Sequence, residues 1–207
     1  MVERQLRASG IRDQSVLRAM GRVPRELFVL EEDERFAYTD GPLAIGHGQT
    51  ISQPYIVALI CQEASIRPGA RVLDVGTGSG YQAAVLAEIG ADVYSVERIR
   101  TLAVRAGRAL ALAGYGDRVT IEVGDGTLGL AEAAPFDAIV VSAAAPAVPE
   151  TLYGQLALRG RLVVPVGGRR DQRLQVVVAT PEGPAVARSV PCRFVPLVGA
   201  EGHAHRS

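Results

Sequence analysis

Ser52 lies in the run Gly46-His47-Gly48-Gln49-Thr50-Ile51-Ser52-Gln53-Pro54, just ahead of the apolar segment Tyr55-Ile56-Val57-Ala58-Leu59-Ile60. Pro54 suits the first turn of a helix and Ser52 suits its cap. A hydroxyl beside a helix N-terminus can also hold a carboxylate, because unpaired N–H groups leave partial positive charge there. Ser52 therefore has two readings, plain N-cap and anion-binding group. Downstream, Gly76-Thr77-Gly78-Ser79-Gly80 follows the strand-like run Val72-Leu73-Asp74-Val75, an arrangement in which glycines let a ligand approach the backbone. Two more acids stand where strands should end, Glu97 after Ala91–Val96 and Asp125 within Val123-Gly124-Asp125-Gly126.

These residues narrow the ligand. The dinucleotide fingerprint GxGxxG asks for a third glycine at position 81, where this chain has Tyr81, so dinucleotide binding is disfavoured. A carboxylate closing the second strand can accept hydrogen bonds from both ribose hydroxyls, and one closing the third can accept from an adenine amino group. An adenosine without a pyrophosphate fits these positions better. The plain alternative is an ordinary tight turn with solvated loop acids.

The elements that must hold these groups follow from the apolar rhythm. Arg71–Val75, Ala91–Glu97, Val119–Val123, Phe136–Ser142 and Arg161–Val166 read as strands, with helices at about 80–89, 99–113 and 149–157. Continuous Val/Ile/Leu strands alternating with amphipathic helices predict a doubly wound, mostly parallel α/β sheet. Leu174–Thr180, the turn Pro181-Glu182-Gly183, Ala185–Val190 and Arg193–Val198 predict an antiparallel C-terminal edge. Residues before 40 read as short helices, with Asp13 as a cap and Pro24 as a break. The expectation is a single domain over 1–207, comprising an N-terminal helical, substrate-side extension (1–65), a cofactor-binding core (66–200) and a tail (201–207).

Composition excludes several classes. The 207 residues carry 22 basic and 22 acidic side chains, a balance that gives no steering toward nucleic acid or an anionic membrane. Every basic residue is Arg, and Asn is absent, a pattern best explained by genomic base composition. No run approaches ~18 apolar residues, so a cytoplasmic protein is expected. Cys61 and Cys192 have neither CxxC spacing nor clustered histidines, and they read as small apolar residues rather than a disulfide or metal site. His47 reads as a loop residue, His203 and His205 as a polar tail, and Arg169, Arg170 and Arg173 as a solvated turn and strand edge.

The glycine turn with its ordered acids resembles the class I S-adenosylmethionine-dependent methyltransferases. GHGQTISQPYIVA resembles the signature of the protein-L-isoaspartate O-methyltransferases. MVERQLRASGIRDQSVLRAMGRVPRELFV, AYTDGPLAIG, VLDVGTGSGYQAAVLA, VGDG, PFDAIVVSAAAPAVPETLYGQL, GRLVVPVG and CRFVPLVG are also similar to that family's blocks, in its order, over about residues 1–200. The resemblance implies methyl transfer from S-adenosylmethionine to the α-carboxylate of L-isoaspartyl residues in damaged proteins, with S-adenosylhomocysteine as product. Closure to a succinimide then returns some aspartate. The resemblance assigns cofactor contacts to Gln49, Thr50, Ile51, Ser52, Asp74, Gly76, Gly78, Glu97, Arg98, Asp125 and Gly126, and the catalytic role to Ser52. It assigns substrate contacts to Ile51, Ser52, Val195 and Leu197, the peptide pairing strand-like with the Val195–Leu197 backbone. Isoaspartyl proteins and peptides are the partners it implies, with no nucleic acid, membrane or metal, and a monomer is expected. A methyltransferase of small molecules or RNA, a non-catalytic cofactor-binding protein and a nicotinamide oxidoreductase are the competing readings.

Overall fold

Runs that are apolar at every position suit strands covered on both faces, and this chain uses them that way. The computed structural model describes residues 1–168 and 170–204. In chain order its elements are α1 (Gln14–Arg22), β1 (Leu43–Gly46), β2 (Gln49–Ile51), α2 (Pro54–Ala64), β3 (Arg71–Val75), α3 (Tyr81–Ile89) and β4 (Asp92–Glu97). There follow α4 (Arg100–Leu112), β5 (Val119–Val123), β6 (Phe136–Val141), α5 (Glu150–Gly154), β7 (Leu156–Gly167), β8 (Gln172–Thr180) and β9 (Gly183–Cys192). One sheet has the order β5-β4-β3-β6-β7-β8-β9, parallel through β7 and antiparallel beyond it. This is the Rossmann-like sheet with an antiparallel edge that the sequence predicts.

Side chains of the central strands alternate between two cores. Val72, Val140 and Val163 join α1 to α4, while Leu73, Ile139, Val141 and Leu162 meet Leu152 of α5 and Leu197 on the other face. All seven of these strand residues are fully buried, and each contributes about 1.5–3 kcal/mol by leaving water. At the head of α3, Gly80 has φ +91°, and a Cβ there would lie 3.2 Å from Ala106 and 3.3 Å from Leu110 of α4. Both the backbone and the close approach of α4 therefore require glycine at that position.

β3 lies between β4 and β6. The chain leaves β3 toward one side of the sheet and returns on the other, so the carboxyl ends of β3 and β6 diverge into a crevice. The N-terminal extension is packed onto this end of the fold. Asp13 caps α1 as expected, its Oδ1 accepting from the Ser15 and Val16 amides at 2.8 and 3.1 Å. After Pro24 come two short 3-10 turns, Arg25–Phe28 and Glu31–Phe36.

Several expectations are corrected. The run around His47, read as a loop, is a β1–β2 hairpin. His47 (φ +54°) and Gly48 (φ +68°) form its two-residue turn, the geometry that matches strand twist. Ser52 does not cap α2. Pro54 is the first helical residue, which makes Gln53 the cap, and no side chain caps there. Arg193–Val198 is not an edge strand, because β9 closes the sheet and this segment crosses its carboxyl end. There Pro196 bridges Ala144 in parallel. His203, read as loose tail, pairs with Val198 and donates its amide to the Leu197 carbonyl at 2.6 Å. The helix expected over 149–157 is only Glu150–Gly154, since β7 begins at Leu156. Arg169 and His205 lie outside the described residues. Among the described residues no helix is long and apolar enough to cross a membrane.

Candidate functional site

The crevice opens into a cleft enclosing about 720 Å³ of empty space, the open solvent at its mouth included. Its walls bring together Gln49, Thr50, Gly76, Gly78, Glu97, Arg98, Gly126, Val195 and Leu197, all anticipated from the sequence. A smaller hollow shares Thr50, Gly76, Gly78 and Ser142 with the cleft and is lined also by Ile51, Ser52, Tyr81 and Gln82. Glycine-turn residues and Ser52 therefore face one continuous space.

Glu97 organises one end of that space. It is 5% exposed, its Oε2 accepts the Gly78 amide at 2.9 Å, and its Oε1 accepts the Ile99 amide at 2.9 Å. A carboxylate offers about four lone-pair sites, so two remain for hydroxyl donors. Gly76 has φ +90°, a conformation glycine adopts without steric cost, and its amide is tied to the Val96 carbonyl at 2.9 Å.

Two predicted acids do not reach the cleft wall. Asp74 is fully buried beneath the turn, accepting from Gln82 Nε2 and Ser95 Oγ at 2.8 Å each. Burial raises its carboxyl to about 6 despite these two hydrogen bonds, and the Glu97 charge adds to the rise. The folded value therefore lies above the ordinary carboxyl value of 3.8. Such a group's stabilising contribution is complete below about pH 4 and is lost as pH rises through 6. Asp74→Asn keeps both bonds, because its amide oxygen accepts from Gln82 and its amide nitrogen donates to the Ser95 hydroxyl. We expect D74N to gain about 2–3 kcal/mol at neutral pH, roughly 4–10 °C in Tm for a chain of this length. That gain should shrink as pH falls below 6 and vanish below about pH 4. Parallel melting curves of the two proteins across this range check it, and a pH-independent difference would refute it.

Asp125 is turned toward the C-terminal segment. Its Oδ1 accepts from the Thr127 amide and hydroxyl at 2.9 and 2.7 Å, and its Oδ2 accepts from the Ala200 amide at 2.8 Å. Burial alone would raise this carboxyl. The bonds from Thr127 and Ala200, with the Arg98 charge, outweigh burial and hold it below the usual range. Asp125 thus fastens the segment whose Val195–Val198 stretch roofs the cleft. The backbone of that stretch is largely engaged: Ala144 donates to Val195 O and accepts from Leu197 N, each at 2.8 Å, and Leu197 O accepts from His203. Within Val195–Leu197, strand-like pairing with a peptide would have the Val195 N–H and the Pro196 carbonyl to use.

Sequence reasoning missed three participants. Ser142 follows the last residue of β6 and accepts from Gln82 Nε2 at 2.9 Å; its place beside β3 at the switch point was the available signal. Gln82 sits in the first turn of α3. Because Asp74 is an acceptor when ionised, the amide nitrogen of Gln82 must face it, and Gln82 Oε1 is left buried without a donor. The third is Arg25, 27 residues before Ser52, whose Nη2 donates to the Ser52 carbonyl at 2.8 Å. Ser52 Oγ itself makes no hydrogen bond to another described residue, while Thr101 of α4 bonds His47 Nε2 at the hairpin turn at 2.9 Å.

Comparison with known proteins agrees with this geometry. A profile of the protein-L-isoaspartate(D-aspartate) O-methyltransferases matches residues 1–202. Over 206 residues the chain is 53% identical to a protein-L-isoaspartate O-methyltransferase of Gloeobacter violaceus, covering 99% of this chain and 100% of that one. It is 52% identical to one from Hyperthermus butylicus, covering 98% and 88%. A crystal structure from Plasmodium falciparum assigned to the same activity, in complex with S-adenosyl-L-homocysteine, superposes with a TM-score of 0.83 at 28% identity over 95% of this chain and 96% of that one. The chain belongs to the protein-L-isoaspartate(D-aspartate) O-methyltransferase family.

Proposed function

We propose that the chain methylates the α-carboxylate of L-isoaspartyl residues in damaged proteins and peptides, starting their return to aspartate, with Ser52 as the residue that holds that carboxylate. One observation carries the assignment of Ser52: its hydroxyl has no partner among the described residues, although it lines the hollow that continues the glycine-turn cleft.

The walls fit S-adenosylmethionine. Glu97 has acceptor capacity for ribose hydroxyls. Gly76 and Gly78 leave the backbone open to close approach, Gly126 lines the cleft where a side chain would collide with Val75, and the orphaned Gln82 Oε1 suits a donor such as an α-ammonium. Gln49, Thr50, Ile51 and Arg98 complete the contact set, and Asp74 and Asp125 act at one remove, through Gln82 and through the roofing segment. When bound, the cofactor supplies an electrophilic sulfonium methyl.

The protein's own task is positioning. An α-carboxyl has a pKa of about 3.5, so the substrate is ionised at neutral pH and no strong base is required. Ser52 donates a hydrogen bond to one carboxylate oxygen, and the N-terminus of α2 adds partial positive charge. Ile51, Val195 and Leu197 close the apolar walls against water, which would stabilise the anion. The substrate is damaged protein at large, which favours recognition of backbone over particular side chains. The same reading takes the enzyme as a cytoplasmic monomer.

Transfer of labelled methyl from S-adenosylmethionine to an isoaspartyl peptide and to its aspartyl twin tests the assignment. Methylation of the isoaspartyl peptide alone is expected, and equal labelling of both would refute it.

A further inference from the structure

Arg25 is the largest of the fully buried side chains among the described residues, with 0% exposure. Its Nε donates to the Ala37 carbonyl at 2.7 Å and its Nη2 to the Ser52 carbonyl at 2.8 Å. The guanidinium stacks 4.6 Å from the ring centroid of Tyr81, which lines the same hollow as Ser52. Its Nη1 is buried without a partner. The ion pairs among the described residues join Arg7 to Glu3, Arg22 to Glu88 and Arg188 to Glu63, and none includes Arg25.

A buried cation without an ion-pair partner is among the costlier things a fold can contain, and Asp40, whose charge favours the protonated guanidinium, makes no ion pair with it. Burial lowers the pKa of Arg25, yet a guanidinium stays protonated in proteins. Its charge is therefore permanent, and it sits directly behind the backbone of Ser52. Two carbonyls and one aromatic face solvate it partly. The hollow in front of Ser52 and Tyr81 is where an anion would complete the balance.

Building on the function proposed above, we propose that Arg25 is a positioning residue for the reaction, bracing Ser52 and making the hollow selective for an anionic carboxylate over a neutral group of the same shape. The charge is not in contact with the substrate. It acts through the low-dielectric layer formed by Ser52 and Tyr81, where fields are screened less than in water. This also gives the N-terminal extension a chemical purpose, since the turn Arg25–Phe28 carries the cation into the core.

The test compares an isoaspartyl peptide with the same peptide bearing an α-carboxamide, which binds without charge. Equilibrium binding is measured with S-adenosylhomocysteine present, for wild type, Arg25→Met and Arg25→Lys. Wild type should prefer the carboxylate. R25M should lose about tenfold or more of that preference, with KM raised more than kcat lowered and affinity for S-adenosylhomocysteine changed less than about twofold. R25K keeps the charge and should retain most of the preference. An unchanged preference in R25M overturns the proposal, as does a loss of cofactor affinity in proportion, which would mark a purely structural role. If R25M does not fold, R25K decides: preference retained supports the charge role, and preference lost refutes it. Failure of wild type to methylate isoaspartyl peptide would instead overturn the function proposed above.

Discussion

Replacing Ser52 by alanine is expected to cut kcat/KM for an isoaspartyl peptide by roughly 10- to 150-fold while leaving the melting temperature unchanged. The magnitude is that of one hydrogen bond to a charged group, about 1.5–3 kcal/mol. The second half of the prediction distinguishes this role from a cap. A capping serine lost to alanine costs about 1 kcal/mol of stability, which would show in a melting curve. Here Gln53 is the cap and makes no side-chain bond to the helix, and the Ser52 hydroxyl bonds no other described residue. The Ser52 carbonyl, which does carry a structural bond to Arg25, survives the substitution. Steady-state kinetics with a cofactor titration completes the measurement, because a hydroxyl that only orients the acceptor carboxylate should leave the affinity for S-adenosylhomocysteine within about twofold. Unaltered kcat/KM would remove Ser52 from the reaction.

The misplaced cap shows where sequence reading loses resolution. Ser, Gln and Pro in succession place a helix start within one residue, but which residue caps depends on where proline falls. Proline at the first helical position forces its predecessor into extended backbone, and Gln53 has φ −47° and ψ 137°. That one-residue shift frees the hydroxyl for chemistry. Arg71–Val75 was legible to the residue because burial on both faces gives its run sharp ends, and the largely exposed edge strand Val119–Val123 because its valines and isoleucine alternate with polar residues. Arg193–Val198 has the same apolar content for another reason: Val195 and Leu197 wall a cleft, and the sequence does not distinguish a cleft wall from a strand.

Acids posed a different problem. Asp74 and Asp125 were identified as site residues by position, yet their carboxylates point away from the cleft. Their directions are decided by partners far along the chain, Ser95 for one and Ala200 for the other. Local pattern carries no information about such pairings. Arg25 is the extreme case, since an arginine in a turn reads as solvated and nothing around it announces complete burial. Glu97 was legible because a strand's last residue at a switch point has few places to go.

Glu97→Gln should be nearly as damaging to cofactor binding as Glu97→Ala, although it changes a single atom. Both carboxylate oxygens already accept a backbone amide, from Gly78 and from Ile99. A glutamine has one acceptor oxygen, and its amide nitrogen would face an N–H whichever way it turned. One buried amide is left unpaired, and the remaining acceptor is neutral. Hydrogen bonds to charged groups contribute about 1.5–3 kcal/mol each, so losing one to the glycine turn and weakening those to ribose should raise the Kd for S-adenosylmethionine about 100-fold. Because the Gly78 amide is half of what holds the turn in place, the damage should extend to the shape of the cleft. At saturating cofactor, KM for the peptide should move little, since Ser52, Arg25 and α2 are untouched. Calorimetric titration with S-adenosylhomocysteine measures the first effect and peptide kinetics the second. An affinity within about threefold of wild type would mean that Glu97 organises the turn without binding the nucleoside.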